Sequence, residues 1–151
     1  MAVFSRALVI AAFAWPLLLG SAWWALRDAA HAPAWARTVY AAAGLVCHQR
    51  PDRSFSTDHV QWPVCGRCSG LYLAAPFGAL LALLRRRIHL SPRALFAIAG
   101  TPTALTLVLE WTHLAPMSNV TRAVAALPLG AAIAWILVRV ADGSIETNRV
   151  H

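Results

Sequence analysis

The sequence predicts an all-α membrane protein, a polytopic bundle of transmembrane helices in one domain of 151 residues. Composition is the first reason. Hydrophobic residues make up 59% of the chain and charged residues 13%, whereas soluble domains are about half apolar and about a quarter charged. The second reason is the distribution of the apolar residues, which form runs of about 17 to 25 residues. A helix needs that length to cross a bilayer.

Four of these runs are predicted to span the membrane. They cover residues 7–26, 66–84, 94–111 and 123–140. The charged residues inside them, Arg67, Glu110 and Arg139, each lie near a helix end, where a side chain can reach the interface. Each run also holds one proline, which neighbouring helices accommodate in a transmembrane bundle. The small residues that recur every four positions in the second run favour close packing inside the bundle, with a dimer face as the alternative.

Two segments leave alternatives open. Residues 35–46 are apolar but too short to cross comfortably, so they are predicted to lie in the interface, to re-enter, or to form a short fifth span. The first run also has features of a signal peptide, with Gly20–Ala22 as a small-residue cleavage site. We favour a retained helix, because the run continues through Trp23 and Trp24, which suit the membrane interface.

Arginine predicts the topology. All thirteen basic residues are arginine, and Arg85, Arg86, Arg87 and Arg93 crowd the connection between the second and third spans. The positive-inside rule makes this connection cytoplasmic. Both termini then lie in the cytoplasm at the inner (plasma) membrane, and residues 27–65 lie outside. The arginines are dispersed between apolar runs, so the net charge of +7 does not indicate a nucleic-acid partner. We expect membrane lipid and other membrane proteins as partners.

Reactive side chains concentrate in one predicted outer segment, residues 47–68. It contains all three cysteines of the chain. Two motifs begin in this segment and a shorter one follows near the fourth span. Their residues are Cys47, His48, Gln49, Arg53, Ser54 and Phe55; then Cys65, Arg67, Cys68, Gly70 and Tyr72; then Ser118, Asn119 and Arg122.

These motifs resemble those of a family of uncharacterised bacterial and archaeal integral membrane proteins, a domain of unknown function. The resemblance covers about residues 40 to 135. It implies that the motif residues act together. The family has no established reaction, so the resemblance leaves open whether the protein is an enzyme.

The cysteine spacing favours a metal site. Zinc is bound by four Cys or His ligands in a tetrahedron, often through a Cys-x-x-Cys pair. Cys65 and Cys68 form such a pair, and Cys47 offers a third thiolate. The first choice for the fourth ligand is His48, with His59 as an alternative. The sequence therefore predicts a metal centre, with zinc as its ion.

Two further groups of residues belong to this hypothesis. Glu110 and His113 have the spacing of neighbours on one helical face, and in a catalytic centre either is the candidate proton carrier. Arg50, Arg53 and Arg122 are predicted to form an anion pocket, since arginine forks suit phosphate and carboxylate. Asn119 at a helix N-terminus would add a donor. Such a pocket suits a phospholipid headgroup or an anionic substrate.

Three other functions fit the same residues. A membrane thiol–disulfide oxidoreductase would use Cys65 and Cys68 as its couple, with Cys47 as partner thiol. An accessory subunit of a larger membrane complex would use its apolar faces to pack on partners. A purely structural loop would pair its arginines with Asp52, Asp58 and Glu110.

Overall fold

The structure is a computed structural model that describes residues 3–27, 32–84 and 90–143. It confirms the all-α class. The elements are helices α1 (Val3–Leu26), α2 (Ala34–Gly44), α3 (Gly66–Leu83), α4 (Pro92–Trp111) and α5 (Asn119–Ala141), and strands β1 (Ser54–Thr57) and β2 (Val60–Cys65). Arg85, Arg86 and Arg87, on which the predicted topology depends, lie outside the described residues, while Arg93 lies in the first turn of α4.

The four predicted spans are confirmed as helices. Within the described ranges, α1, α3, α4 and α5 have 24, 18, 20 and 23 residues and are apolar enough to cross a membrane. The segment predicted at 35–46 forms α2, which has 11 residues. At 1.5 Å per residue α2 is about 16 Å long, about half the thickness of the hydrocarbon core. A fifth crossing by α2 is therefore excluded by length, and it packs instead against α1 and β2.

Serine side chains cap the starts of α4 and α5. Ser91 caps α4, its Oγ accepting from the backbone N–H of Ala94 at 3.2 Å. Ser118 caps α5 in the same way, accepting from Thr121 at 3.0 Å. These side chains satisfy backbone donors that a helix start leaves unpaired. After α5 the chain turns at Gly143, whose φ of +68° is the left-handed conformation that favours glycine.

Backbone contact between α3 and α5 organises the bundle. A Cβ on Gly70 would overlap the carbonyl oxygen of Ala123, and one on Gly78 would overlap that of Ala131. The small residues that recur along α3 are therefore inside the bundle, and α5 occupies the face considered for a dimer. The contact also places the first turns of α3 and α5 side by side.

Residues 54–65 form a short antiparallel hairpin, which was not predicted from the sequence. β1 and β2 pair through Ser56 with Gln61 and Thr57 with Val60. The two turn residues, Asp58 and His59, have φ of +52° and +63°. Two-residue hairpin turns need positive φ, and Asn-Gly or Asp-Gly usually signals them.

Proline explains why β2 is irregular. Pro63 lies within β2 and has no N–H to donate to a neighbouring strand. The register accordingly shifts between Ser54 and Ser56, so the hairpin lacks the regular alternation by which strands are recognised in a sequence.

Aromatic contacts fix the hairpin to α1. The Trp62 ring lies 5.8 Å from that of Trp23 and 5.2 Å from that of Phe55, between ring centroids. Arg27, just after α1, pairs with Asp58 in the hairpin turn. The hairpin thus covers one end of the bundle, where α3 and α5 begin and α4 ends. We call this end, with residues 47–68, the polar end.

We predict that Gly70→Ala destabilises the protein by about 1 to 3 kcal/mol, because the new Cβ would overpack against an α5 carbonyl. Gly20→Ala in α1 is the matched control, since a Cβ there meets nothing within 4 Å. It should be neutral or stabilising by up to about 1 kcal/mol, because alanine favours helix over glycine. Unfolding in detergent measures both; equal effects of the two variants would contradict the α3–α5 contact.

Candidate metal centre

The three cysteines converge at the polar end. Their sulfur atoms all lie within 4.8 Å of one another, although Cys47 is 18 residues away from Cys65 in the chain. Cys47 is buried, and Cys65 and Cys68 are half-buried. Among the described residues this trio is the group of Cys, His, Asp and Glu side chains placed closely enough to hold a metal ion.

Each cysteine is positioned by backbone structure. Cys47 follows α2, and its N–H donates to the carbonyl of Ala43 at 2.9 Å. Cys65 ends β2 and directly precedes α3, and its N–H donates to the Cys47 sulfur at 3.2 Å. Cys68 lies in the first turn of α3. The hairpin therefore returns the chain to Cys47 and presents Cys65 and Cys68 from a helix start.

This position makes Cys65 acidic. The pKa of Cys65 is lowered to about 5, chiefly by hydrogen bonding from the Cys68 thiol; burial opposes this, and the backbone N–H of Cys68 and the Cys47 thiol act in the same direction as the Cys68 thiol. A helix N-terminus is a setting in which thiolates are commonly stabilised. A metal ion binds thiolate rather than thiol, so Cys65 is ready for coordination near neutral pH.

The three sulfur atoms are spaced to fit three corners of a tetrahedral metal site. With a Zn–S distance of about 2.3 Å, sulfur atoms in a tetrahedral site lie about 3.8 Å apart. The three sulfur atoms are within 4.8 Å of one another, so side-chain movements of about an ångström or less would complete the geometry. Three thiolates from one helix start and one neighbouring loop would hold such an ion.

The predicted fourth ligand lies nearby. His48 is exposed and lines the same cavity as the three cysteines, but it is not part of the close trio. Its role as ligand stays a prediction. His59, the alternative, lies in the hairpin turn and is also outside the trio.

Gln49 holds the cysteine loop in place. Its Nε2 donates to the carbonyls of Tyr40 at 2.8 Å and Pro63 at 2.7 Å. Gln61 returns a bond from its Nε2 to the Gln49 carbonyl at 2.6 Å, and the Tyr40 hydroxyl donates to the Gln61 carbonyl at 2.8 Å. Sequence reasoning singled out Gln49 in its motif but missed Tyr40 and Gln61, because no local pattern pairs a helix residue with a hairpin.

A carboxylate at the polar end pairs with three arginines. Glu110 at the end of α4 pairs with Arg67 at 2.7 Å, Arg122 at 2.9 Å and Arg53 at 3.2 Å. The side chains of Glu110 and Arg122 are only 13% and 10% exposed, so water screens this cluster weakly. Three guanidinium groups stabilise the charged carboxylate and join α4 to α3, to α5 and to the cysteine segment. Arg50 pairs separately with Asp52 at 3.1 Å.

Asn119 links α5 to the hairpin. Its Oδ1 accepts from Arg122 at 2.6 Å and its Nδ2 donates to the Ser54 carbonyl at 2.8 Å. The Asn119 amide therefore orients Arg122, and the role of Asn119 in an anion pocket remains a prediction.

The expectation that Glu110 and His113 share a helical face is wrong. The helix ends at Trp111, and His113 has a φ of +56°. The proton-carrier role of either residue stays a prediction.

Arginine and cysteine side chains line one cavity of about 380 Å³. Its size is within the range of small-molecule sites, about 300 to 1,000 Å³. The cavity thus brings the predicted anion-binding Arg50, Arg53 and Arg122 together with the predicted metal ligands. Arg67, which was not among the residues predicted for the anion pocket, lines this cavity too. The lining residues are Val46, Cys47, His48, Arg50, Arg53, Cys65, Arg67, Cys68 and Arg122.

The fold and this site define a helical multi-pass membrane protein with a cysteine and arginine cluster at one end of its bundle. Residues 47–136 match the model of a family described as predicted membrane protein (DUF2085), and the chain belongs to that family. It is also similar to an uncharacterized protein of Methanothermobacter thermautotrophicus, with 32% identity over 90 residues, covering 59% of this chain and 81% of the relative. No solved structure matches. Membership in this family therefore identifies no reaction.

We predict that Glu110→Gln destabilises the protein by about 3 to 5 kcal/mol, the usual effect of breaking a buried ion pair, because three arginines lose their shared charge. Asp58→Asn makes the same chemical change in an ion pair whose carboxylate is 51% exposed. It should change the free energy of unfolding by at most about 1 kcal/mol. Unfolding of both variants in detergent measures the difference, and a Glu110 variant as stable as the Asp58 variant would refute the anchoring role.

Proposed function

We propose that this membrane protein binds one metal ion at its polar end through Cys47, Cys65 and Cys68. The single observation that carries the proposal is the convergence of the three sulfur atoms to within 4.8 Å. By ligand type the ion is zinc, since thiolates select it among the common divalent ions. Lowering of the Cys65 pKa adds support, because less free energy is needed to remove its proton.

His48 is our candidate for the fourth ligand. It directly follows Cys47 and lines the cavity beside the trio. Alternatively, the fourth position is open toward the cavity, as in catalytic zinc sites that bind water or substrate. In that case His113 or Glu110 would carry a proton. The carboxylate of Glu110 is already bound by arginines, which favours a positioning role for it.

For the orientation, we propose that the polar end faces outward from the plasma membrane and that both termini are cytoplasmic. The support is the row of arginines at 85–87 and Arg93, because positive residues remain on the cytoplasmic side. In the fold, the polar end lies at the start of α3 and the end of α4, away from this arginine connection. A cytoplasmic connection would therefore leave the polar end on the outer face. Membrane lipid is the proposed surrounding partner, with no role for nucleic acid.

Thiol–disulfide exchange is the second candidate function. The observation that favours it is the lowered pKa of Cys65, whose sulfur lies within 4.8 Å of those of Cys68 and Cys47. Thiolates attack disulfides, and a neighbouring thiol resolves the mixed disulfide. An accessory role in a membrane complex is the third candidate, in which exposed apolar side chains on the α4 span such as Phe96 and Ile98 would face a partner helix instead of lipid.

We predict about one zinc ion per chain when the protein is purified in detergent without chelator. Cys47→Ser, Cys65→Ser and Cys68→Ser should each abolish stoichiometric metal, because two thiolates bind too weakly to survive purification. His48→Asn tests the fourth ligand, and His59→Asn is its matched control in the hairpin turn. Mass spectrometry of metal content gives the result.

Each alternative has its own outcome in that experiment. Wild-type protein without metal, in which two thiols are oxidised, would refute the metal site and support the oxidoreductase. Metal-free protein with three free thiols that co-purifies with a larger complex would support the accessory role. Equal metal loss in His48→Asn and His59→Asn would remove His48 as a ligand.

We also predict that Cys65 of chelator-treated protein reacts from outside the cell with a membrane-impermeant alkylating reagent. Thiolate is the reactive form, so a pKa of about 5 gives a rate that is already maximal at pH 7 and falls as the pH drops through 5. The reaction rate of an ordinary thiol, with a pKa of about 8.5, would instead rise with every pH unit up to pH 8.

Mass spectrometry assigns the label to Cys65, and denatured protein supplies the ordinary profile as control. Labelling in inverted vesicles but not in intact cells would reverse the proposed orientation. A midpoint near pH 8.5 in folded protein would show that the helix start and the neighbouring thiols do not stabilise the thiolate.

A further inference from the structure

We propose that the arginine-lined cavity at the polar end binds a phosphate group. The inference deepens the proposed function and rests on it in one respect, because the three cysteines that would hold the metal form part of the cavity wall. The four arginines would bind the phosphate with or without the metal.

Charge is the first argument. Arg50, Arg53, Arg67 and Arg122 line the cavity, and the carboxylates that pair with them in the described structure are Asp52 and Glu110. Four positive groups thus share two negative ones, which leaves an excess of two positive charges. A zinc ion with three thiolates carries one negative charge, so the wall remains positive after metal binding. The cavity therefore favours an anion.

Donor geometry is the second argument. A guanidinium carries five N–H donors, and the ion pair of Arg67 with Glu110 uses its Nη2. Arg50 presents one edge, Nε and Nη2, to Asp52, which leaves its other edge for a ligand. The four arginines come from separate places: Arg50 and Arg53 from the loop before β1, Arg67 from the start of α3 and Arg122 from the start of α5. Arg122 contributes charge rather than a free edge, because its Nε, Nη1 and Nη2 already donate to Glu110 and Asn119. Guanidinium groups placed around one cavity match the three or more oxygens of phosphate better than the two oxygens of a carboxylate.

Anchoring is the third argument. Arg67 and Arg122 are held by Glu110, and their side chains are 16% and 10% exposed. They are therefore fixed before any ligand arrives, which reduces the entropy lost on binding. Arg50 is 59% exposed and keeps the edge that does not face Asp52 for the ligand.

The phosphate has two plausible sources, a soluble phosphate compound and a phospholipid headgroup. Both offer the same oxygens to the arginines. The polar end adjoins the membrane interface, because the four spans end there, so each source has access. The experiment below distinguishes them.

The test is a calorimetric titration of inorganic phosphate into detergent-solubilised protein, both metal-free and loaded with Co²⁺ in place of zinc. We expect saturable binding to both forms. Arg50→Gln should weaken it about tenfold, the effect of losing one charge-assisted hydrogen bond. Arg93→Gln is the matched control, since Arg93 is exposed and lies about 26 Å of helix rise from Glu110 along α4.

A second arm uses nanodiscs of zwitterionic lipid with or without phosphatidylglycerol. If phosphatidylglycerol reduces phosphate affinity in wild type but not in Arg50→Gln, the headgroup is a natural occupant; if it does not compete, a soluble phosphate is. Either result supports a phosphate site. Absence of saturable phosphate binding, or equal weakening in Arg50→Gln and Arg93→Gln, would overturn it.

The cobalt form separates the two proposals. Thiolate-to-cobalt charge-transfer absorption reports the metal site, and its presence in Arg50→Gln shows that the variant is folded there. Charge-transfer absorption without phosphate binding overturns the phosphate inference alone. Phosphate binding without charge-transfer absorption overturns the metal proposal and leaves the arginine site standing.

Discussion

Close approach of α3 and α5 is the constraint on which the polar end depends. Because glycines on α3 bring its backbone against the carbonyls of Ala123 and Ala131, the starts of the two helices adjoin. The first turn of α3 carries Arg67 and Cys68, and the first turn of α5 carries Asn119 and Arg122. Larger residues on this contact would separate the helices and with them the cysteine and arginine groups. Packing deep in the bundle thus sets the geometry of a site at its end.

Glu110 turns this adjacency into a fixed arrangement. A carboxylate near a membrane edge is costly to bury unless it is paired, and here three guanidiniums from different elements meet it. The same contacts immobilise arginines that would otherwise repel one another. The single negative charge of Glu110 does not neutralise all three arginines. The cluster is therefore held together by ion pairs and still carries an excess of positive charge. Structural pairing and ligand binding are therefore compatible explanations of the same side chains.

The spans could be predicted from the sequence because a bilayer requires a certain length of apolar helix, and both length and composition are properties of a continuous segment of the chain. The sequence also predicted the meeting of Cys47 with Cys65 and Cys68 and the arginine group beside them, from residue type and spacing. It failed on the hairpin, whose Asp58–His59 turn and Pro63 lack the usual signals, and on His113, which local spacing placed on a helix that ends before it. Tyr40 and Gln61 were missed since their bonds to the Gln49 loop exist only in three dimensions.

Metal and anion would influence each other through their shared cavity wall. Three thiolates without a metal present negative charge to the cavity and would repel a phosphate, although the arginines attract it. A divalent ion cancels most of that charge, so the metal-bound form should bind an anion more tightly than the fully deprotonated metal-free form. Linkage makes the effect reciprocal: an anion that prefers the metal-bound form must also strengthen metal binding. With both ligands bound, the arginines and the cysteines would act as one site, in which each group changes the charge that the other group faces.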